Sequence, residues 1–375
     1  MNEKMKIAVL GAGSGGQAMA AHLTMDGFKV NLYEHPNFKH VIEPIVKQGG
    51  IYLTGILGNY FARLNMVTTN MEEAIEGVDI ININMPAFGH TTICKEIAPL
   101  LKEGQIVVFH PGYFGSLLLA RILKEVNPNQ NIKLAEAQTM IYCARNKGPA
   151  HAWLFGIKKE LQLAAFPGKD TKEVVDAINI AYPQFVPARD VLETFLNNVA
   201  LVFHPTPTIL NAGWVESTKG NFIYYWEGVT DSVARFMESI DEERLAIIEK
   251  LGLKRVYAKE WMKIMYSQYG AKGNSLREVL LNCKNYETAA SPSSLKFTYV
   301  SQDVPYGLVP MISLAEQMGI KTPRSRVVVQ MASYLNEINY WEEGYDSKSI
   351  GIQDMDLNEL ILFLQEGEKK KNDKI

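Results

Sequence analysis

The chain has 375 residues, 47% of them hydrophobic and 21% charged, which at roughly 150 residues per domain allows a large interior divided over two or three domains. Its formal net charge is −3 and the one basic block, "GEKKKND" near the C-terminus, reads as a solvated tail, so nothing favours a nucleic-acid partner over a small molecule. Cys94, Cys143 and Cys283 have neither CxxC spacing nor a histidine cluster beside them, which argues against a disulfide framework and against a metal site and fits a reducing cytoplasm.

In chain order, the opening "MNEKMKIAVLGAG" has too short an apolar stretch for a signal peptide and reads as a buried strand. No later run approaches the ~20 apolar residues needed to cross a bilayer, so no membrane partner is expected. "KIAVLGAGSGGQAMAAHLTMDGFKVNLYEH" reads strand, glycine turn, alanine-rich helix, strand: the first βαβ unit of a parallel sheet. "GGIYLTGILGNYFARLNMVTT" predicts a hairpin excursion and a further strand. "VDIININMP" and "GQIVVFHPG" are β-branched runs ending in turn residues and followed by helical stretches, the pattern of strands covered on both faces. "NIKLAEAQT" and "LQLAAFPG" add later strands, giving a sheet of six or more that ends near residue 185. From "VLETFLNNVALVF" onward, segments such as "GVTDSVARFMESIDEERLAIIEKLG" carry apolar residues at helical spacing. The expected fold is α/β followed by all-α: a dinucleotide-binding Rossmann domain over 1–185 and a helical domain over 186–375.

Gly11, Gly13 and Gly16 form GxGxxG at a strand-to-helix junction, with Ser14 and Gly15 inside the turn. The first glycine permits the tight turn, the second lets backbone approach a pyrophosphate, and the third lets helix and strand pack closely; the helix N-terminus then faces the phosphates. Glu34 ends the second strand about 20 residues further on, where a carboxylate accepts hydrogen bonds from the adenosine ribose. A carboxylate there repels the 2′-phosphate of NADP, which favours NAD. His35 and Lys39 stand close enough to hold that phosphate if Glu34 turns away, and they keep NADP as the alternative.

A nicotinamide moves hydride, and reduction of a carbonyl or imine also needs a proton near neutral pH. Histidine suits that task, its ordinary pKa being about 6.5. His204, in "LVFHPTPTIL", lies early in the helical half with Pro205 and Pro207 stiffening the turn after it. A lone histidine beside apolar residues is more often a packing group. The other candidates are weaker: His22 is on the first helix, His35 and His40 follow the adenosine-side strand, and His90 and His110 sit at strand ends, available for packing or cofactor contact. Asp303, in "VSQDVPYGLVP", is a carboxylate able to orient an imidazole and stabilise its cation, although sequence alone does not bring it to His204.

These residues sit in an ordered set of segments: "MPAFGH", "HPGYFGSLL", "EAQTMIYCAR", "GPAHAWLFGIKKELQLAAFPG", "FHPTPTILNAGWVES", "YYWEGVTDSVARFMESIDEERLAI" and "QDVPYGLVPMISLAEQMG". In this order they resemble the opine dehydrogenases, the family of octopine and nopaline dehydrogenases, over nearly the whole chain. The resemblance implies a Rossmann domain joined to an all-helical domain similar to the C-terminal domain of 6-phosphogluconate dehydrogenase. It also implies NAD(P)-dependent reductive condensation of a 2-oxo acid such as pyruvate with the amine of an amino acid. Carried over, the family's catalytic histidine falls on His204 and its aspartate on Asp303. Pro86 and Gly112 fall among the cofactor contacts, with Gly112 to Gly115 bordering nicotinamide and substrate. Thr139 would lie near the 2-oxo acid, and Tyr225 and Trp226 match an aromatic pair walling the amine pocket.

The departures bear on substrate. Thr298 and Tyr299 replace an Arg-Tyr pair whose fork would grip a carboxylate, Gln302 replaces a glutamate, and Gln138 stands where octopine-type enzymes carry a glutamate facing a guanidinium. Arginine is therefore disfavoured as amine donor against a neutral amino acid or another amine, and Lys296 or Arg145 are the cations available to replace the missing one. Two other readings stay open: a hydroxy-acid or ketopantoate-type reductase on the same two-domain plan, and a catalytically silent NAD-binding sensor. The aromatic-rich "YLNEINYWEEGY" fits either core packing or a homodimer interface.

Overall fold

The β-branched and aliphatic runs become twelve strands: β1 Lys6–Leu10, β2 Lys29–Tyr33, β3 Ile51–Gly55, β4 Tyr60–Ala62, β5 Met66–Thr68, β6 Ile80–Ile83, β7 Ile106–Phe109, β8 Lys133–Ala137, β9 Tyr142–Asn146, β10 His151–Ile157, β11 Leu161–Phe166 and β12 Phe185–Pro187. They belong to a computed structural model that describes residues 5–368, so most of the "GEKKKND" tail lies outside the described residues. Eight of the strands form one sheet in the order β12-β11-β8-β7-β6-β1-β2-β5. Its neighbours run parallel except for the β8–β11 pair. The reversal of direction at β1, with β2 on one side and β6 on the other, creates the crevice at the carboxyl ends of the strands where ligands of open α/β sheets bind.

The predicted hairpin β3–β4 is antiparallel, as expected, but it is half of a second sheet. That sheet has the order β4-β3-β10-β9, and β10 runs parallel to β3. The helix Ser14–Met25 packs against β1 and β2 on one side and against β3, β9 and β10 on the other. This explains its composition: Gly16, Gln17, Ala18, Met19, Ala20, Ala21 and Leu23 are all buried, because a helix between two sheets has little solvent face and small side chains let both layers approach. Its apolar atoms and those of both sheets make one core cluster.

Chain contacts divide the protein into two units, residues 5–194 with Leu364–Glu368, and Phe195–Phe363. All twelve strands lie in the first. The second is helical, and its longest helix, Asp231–Lys250, starts where Thr230 accepts the Val233 N–H. That helix buries Ala234, Met237, Ile240, Leu245 and Ile248 at helical spacing. It also buries Arg244, whose guanidinium is satisfied by Asp241 at 2.7 Å and by the Leu196 and Val256 carbonyls. No helix of the described residues is long and apolar enough to cross a membrane.

Candidate functional site

In the first unit, Gly11 and Gly16 are required by the protein itself. Gly11 has φ +103°, and a Cβ there would lie 2.4 Å from the Asn84 carbonyl oxygen; a Cβ on Gly16 would lie 1.8 Å from the Gly11 oxygen. Gly13 differs: its φ is −66°, open to any residue, and an added Cβ would meet nothing within 4 Å. The protein leaves space beside Gly13 that it does not fill, as a backbone cradle for a pyrophosphate demands. Gly13 also caps the helix Ser14–Met25 without a side-chain hydrogen bond, and its first amides, at Ser14, Gly15 and Gly16, have no intrahelical acceptor.

Glu34 serves the same turn. Its carboxylate accepts the Ala12 N–H at 2.8 Å and the His35 N–H at 2.9 Å. It lines a cavity of about 530 Å³ with Gly11, Gly13, Phe38, Pro86 and Phe88. This donor and acceptor set fits a dinucleotide: open helix amides for the phosphates, a carboxylate for the ribose and apolar walls for a base. His35, offered as a phosphate ligand by the sequence, is committed elsewhere. Its Nδ1 accepts the Asn37 N–H at 3.2 Å, and its Nε2 faces Glu96 at 3.4 Å. Lys39 lies 3.9 Å from Glu43, outside this cavity.

The loops after β6, β7 and β8 bring further predicted residues to the same end of the sheet. Pro86 follows β6, and Gly112, after the cis His110–Pro111 bond, donates its N–H to Ala137 at the end of β8. Thr139 is half-buried, and the Met140 methyl abuts Gly15. Gln138 is buried, its side-chain oxygen accepting the Gln162 N–H at 3.3 Å, so that oxygen is engaged with the sheet. Sequence reading missed Glu136. Buried in β8, it accepts hydrogen bonds from Phe114 N, Ser116 N and Ser116 Oγ, fixing the loop that holds Gly112. Burial pushes its carboxyl up to about 7 against those bonds. The signal was a single acid in the apolar strand "KLAEA". His90 and His110 are packing groups: both are fully buried, burial lowering them to about 4 and about 3, and His110 Nε2 meets Asn82 Oδ1 at 2.9 Å.

In the second unit the fold joins two residues far apart in sequence. His204 Nδ1 lies 2.6 Å from Asp303 Oδ2, with the carboxylate buried and the imidazole one-quarter exposed. A carboxylate only accepts, so Nδ1 carries the proton and Nε2 is the nitrogen able to exchange one. His204 sits at the joint between the short helices Ala200–Phe203 and Pro205–Leu210, with Pro205 opening the second. Its carbonyl accepts the Tyr224 hydroxyl at 2.6 Å and the Thr208 hydroxyl at 2.7 Å. Asp303 follows the turn Thr298–Ser301 and its cap Gln302, and opens a π-helical turn, Val304–Leu308, closed by Leu308 N–H to the Asp303 carbonyl. Gln302 donates to Asp303 Oδ1 at 3.3 Å, where a glutamate would repel it.

Tyr299, named in the sequence only as a departure, stacks on the imidazole with ring centroids 3.9 Å apart and planes 10° from parallel. Its spacing was the available clue, since four residues before Asp303 is one helical turn. Tyr225 is buried and stacks on Tyr286, and the Trp226 indole N–H donates to the Leu280 carbonyl at 3.2 Å. Lys296 and Arg145 are exposed, in different units. Among the described residues no cluster of acid, histidine and cysteine side chains could hold a metal ion.

Comparison with known proteins matches the same two parts. The family described as NAD/NADP octopine/nopaline dehydrogenase, alpha-helical domain, matches residues 187–336, and that of the NAD-dependent glycerol-3-phosphate dehydrogenase N-terminus matches 6–136. An octopine dehydrogenase structure solved with NADH and agmatine shares the fold, with a TM-score of 0.76 over 98% of this chain and 99% of that one, at 18% identity. Protein ocs of Agrobacterium tumefaciens (strain Ach5) is 24% identical over 96% of this chain and 99% of its own. An opine dehydrogenase of Arthrobacter sp. (strain 1C) is 32% identical over 94% of this chain and 96% of its own. With the glycine turn, Glu34 and the His204–Asp303 pair in place, that identity over nearly the full length shows that the chain belongs to the opine dehydrogenases, NAD(P)-dependent oxidoreductases acting on the CH–NH group.

Proposed function

We propose that the enzyme reductively condenses a 2-oxo acid, with pyruvate the first to try, with a neutral amino acid, using NAD in preference to NADP and His204 as its acid–base group. The observation that carries the reading is the 2.6 Å His204–Asp303 contact with Nδ1 as its donor. The bound nicotinamide supplies the hydride. His204 Nε2 takes a proton from the incoming ammonium, freeing the amine to attack the oxo carbon, and returns it to the former carbonyl oxygen, which leaves as water; hydride then adds to the carbon of the protonated C=N. Asp303, buried beside it, stabilises the imidazolium and holds the ring, and Tyr299 restrains the ring plane. Thr139 and the Gly112 loop are proposed to border the oxo acid, and Tyr225 and Trp226 to back the amine pocket as a fixed wall. Gln138 supplies no negative charge for a guanidinium, which supports a neutral amine donor over arginine.

NADH consumption with pyruvate should require an added amino acid; equal consumption without amine would leave a carbonyl reductase instead. His204→Ala should lower kcat by about 10²–10⁴-fold while NADH binding persists. Unchanged turnover would remove the assigned role.

Cys94, Cys143 and Cys283 form no disulfide among the described residues, which supports a reducing cytoplasm as the proposed place of action. A homodimer is also proposed. The helix Pro323–Asn336 exposes Val327, Met331, Tyr334 and Leu335 along one stripe. Packed antiparallel on a second copy about a two-fold between positions 330 and 331, it sets Val327 against Tyr334 and Arg324 against Glu337, so apolar groups and opposite charges both match. Sedimentation should give twice the chain mass and Met331→Asp the single mass; a wild type of single-chain mass refutes the interface.

A further inference from the structure

Among the described residues, the cavity beside the glycine turn has three titratable side chains in its lining, Glu34, His35 and Glu96, and no lysine or arginine. Glu34 arrives from the end of β2, and Glu96 from the helix His90–Ile97. The two acids therefore approach from different elements. A third residue registers both: the buried Tyr33 phenol is pushed up to about 12, first by burial, then by Glu96 and then by Glu34.

His35 is held between a backbone amide and one of these acids. Its Nδ1 accepts a backbone N–H from Asn37, so that nitrogen carries no proton, and Nε2 lies 3.4 Å from the Glu96 carboxylate. Binding a phosphate through a doubly protonated His35 would break the Asn37 bond and compete with Glu96 for the other nitrogen. Glu34 is held in turn by the Ala12 and His35 amides.

We propose that Glu96 is a second acidic determinant of cofactor choice, which works with Glu34 to repel the 2′-phosphate of NADP and keeps His35 from serving as its ligand. The inference rests on the NAD reading above and adds to it a residue on a different element. Repulsion between a dianionic phosphate and a carboxylate at the far side of a small cavity is only partly screened by water, so removing one of two such charges has a measurable effect.

The test is a set of dissociation constants for NADH and NADPH, read from nucleotide fluorescence without turnover, for wild type, Glu96→Gln and Glu43→Gln. Glutamine keeps an acceptor for His35 Nε2–H, and Glu43 carries the same charge outside the cavity. The affinity ratio of NADPH to NADH should rise about fivefold or more in E96Q and stay at the wild-type value in E43Q. In wild type the ratio should also rise with added salt. A wild type that binds NADPH more tightly than NADH removes the NAD reading and this inference together. A wild type that prefers NADH, with the ratio unmoved in E96Q or moved equally in E43Q, removes the inference alone.

Discussion

Three glycines spaced GxGxxG do three different things, and substitutions separate them. Gly16→Ala drives a methyl into the Gly11 carbonyl at 1.8 Å, so it should cost about 1–3 kcal/mol in urea unfolding, as overpacking does. The Cβ of Gly13→Val meets no protein atom within 4 Å, so the fold should lose no more than the roughly 1 kcal/mol of an unfavourable helix cap while NADH affinity falls at least about tenfold. A G13V protein that binds NADH normally would mean the phosphates lie elsewhere. At this scale the sequence was already informative, because the pattern, the strand before it and Glu34 after it name the chemistry. It did not tell which glycine is needed by the fold and which by the ligand, since that depends on the Asn84 and Gly11 oxygens that close around two of them.

Elements decide what individual residues are able to do. His204 and Asp303 are 99 positions apart, and neither has a local pattern that predicts the other; a helix joint and a π-helical turn aim them at each other. Tyr299 follows from the same turn, one helical step before Asp303, and its ring lies flat against the imidazole. In the first unit the alanine-rich helix was legible as a helix. The second sheet that makes alanine necessary was not, because β10 joins it through β3, about 100 residues earlier, and carries β9 on its other edge. Glu136 likewise reads as an anomaly in an apolar strand until the Phe114 and Ser116 amides are seen to converge on it.

For the molecule as a whole, buried ionisable groups set the pH dependence of stability. His90 and His110, held at about 4 and about 3 against 6.5 when unfolded, contribute fully above pH 6.5 and lose that contribution as pH falls below it. Glu136, held at about 7 against 4.5, contributes fully below pH 4.5 and loses that contribution as pH rises through 7. Two groups outweigh one between pH 4.5 and 6.5, so the melting temperature should climb over that range and turn down near pH 7. In Glu136→Gln the climb should steepen and the downturn vanish; a downturn that survives would assign it to another group.

The sequence by itself determined the Rossmann-plus-helical architecture and the dinucleotide, since these rest on periodicity, on glycine and carboxylate spacing, and on an ordered set of motifs; it named His204 and Asp303 as candidates without joining them. Tertiary structure decided which nitrogen of His204 is free, which glycine leaves room for a ligand, and that Glu96 shares a cavity with Glu34 while His35 Nδ1 accepts a backbone amide and its Nε2 lies beside Glu96. Those are matters of direction and of distances of a few ångströms between residues on different elements. A linear pattern carries no record of them, because contact across the fold is fixed by packing and not by spacing along the chain.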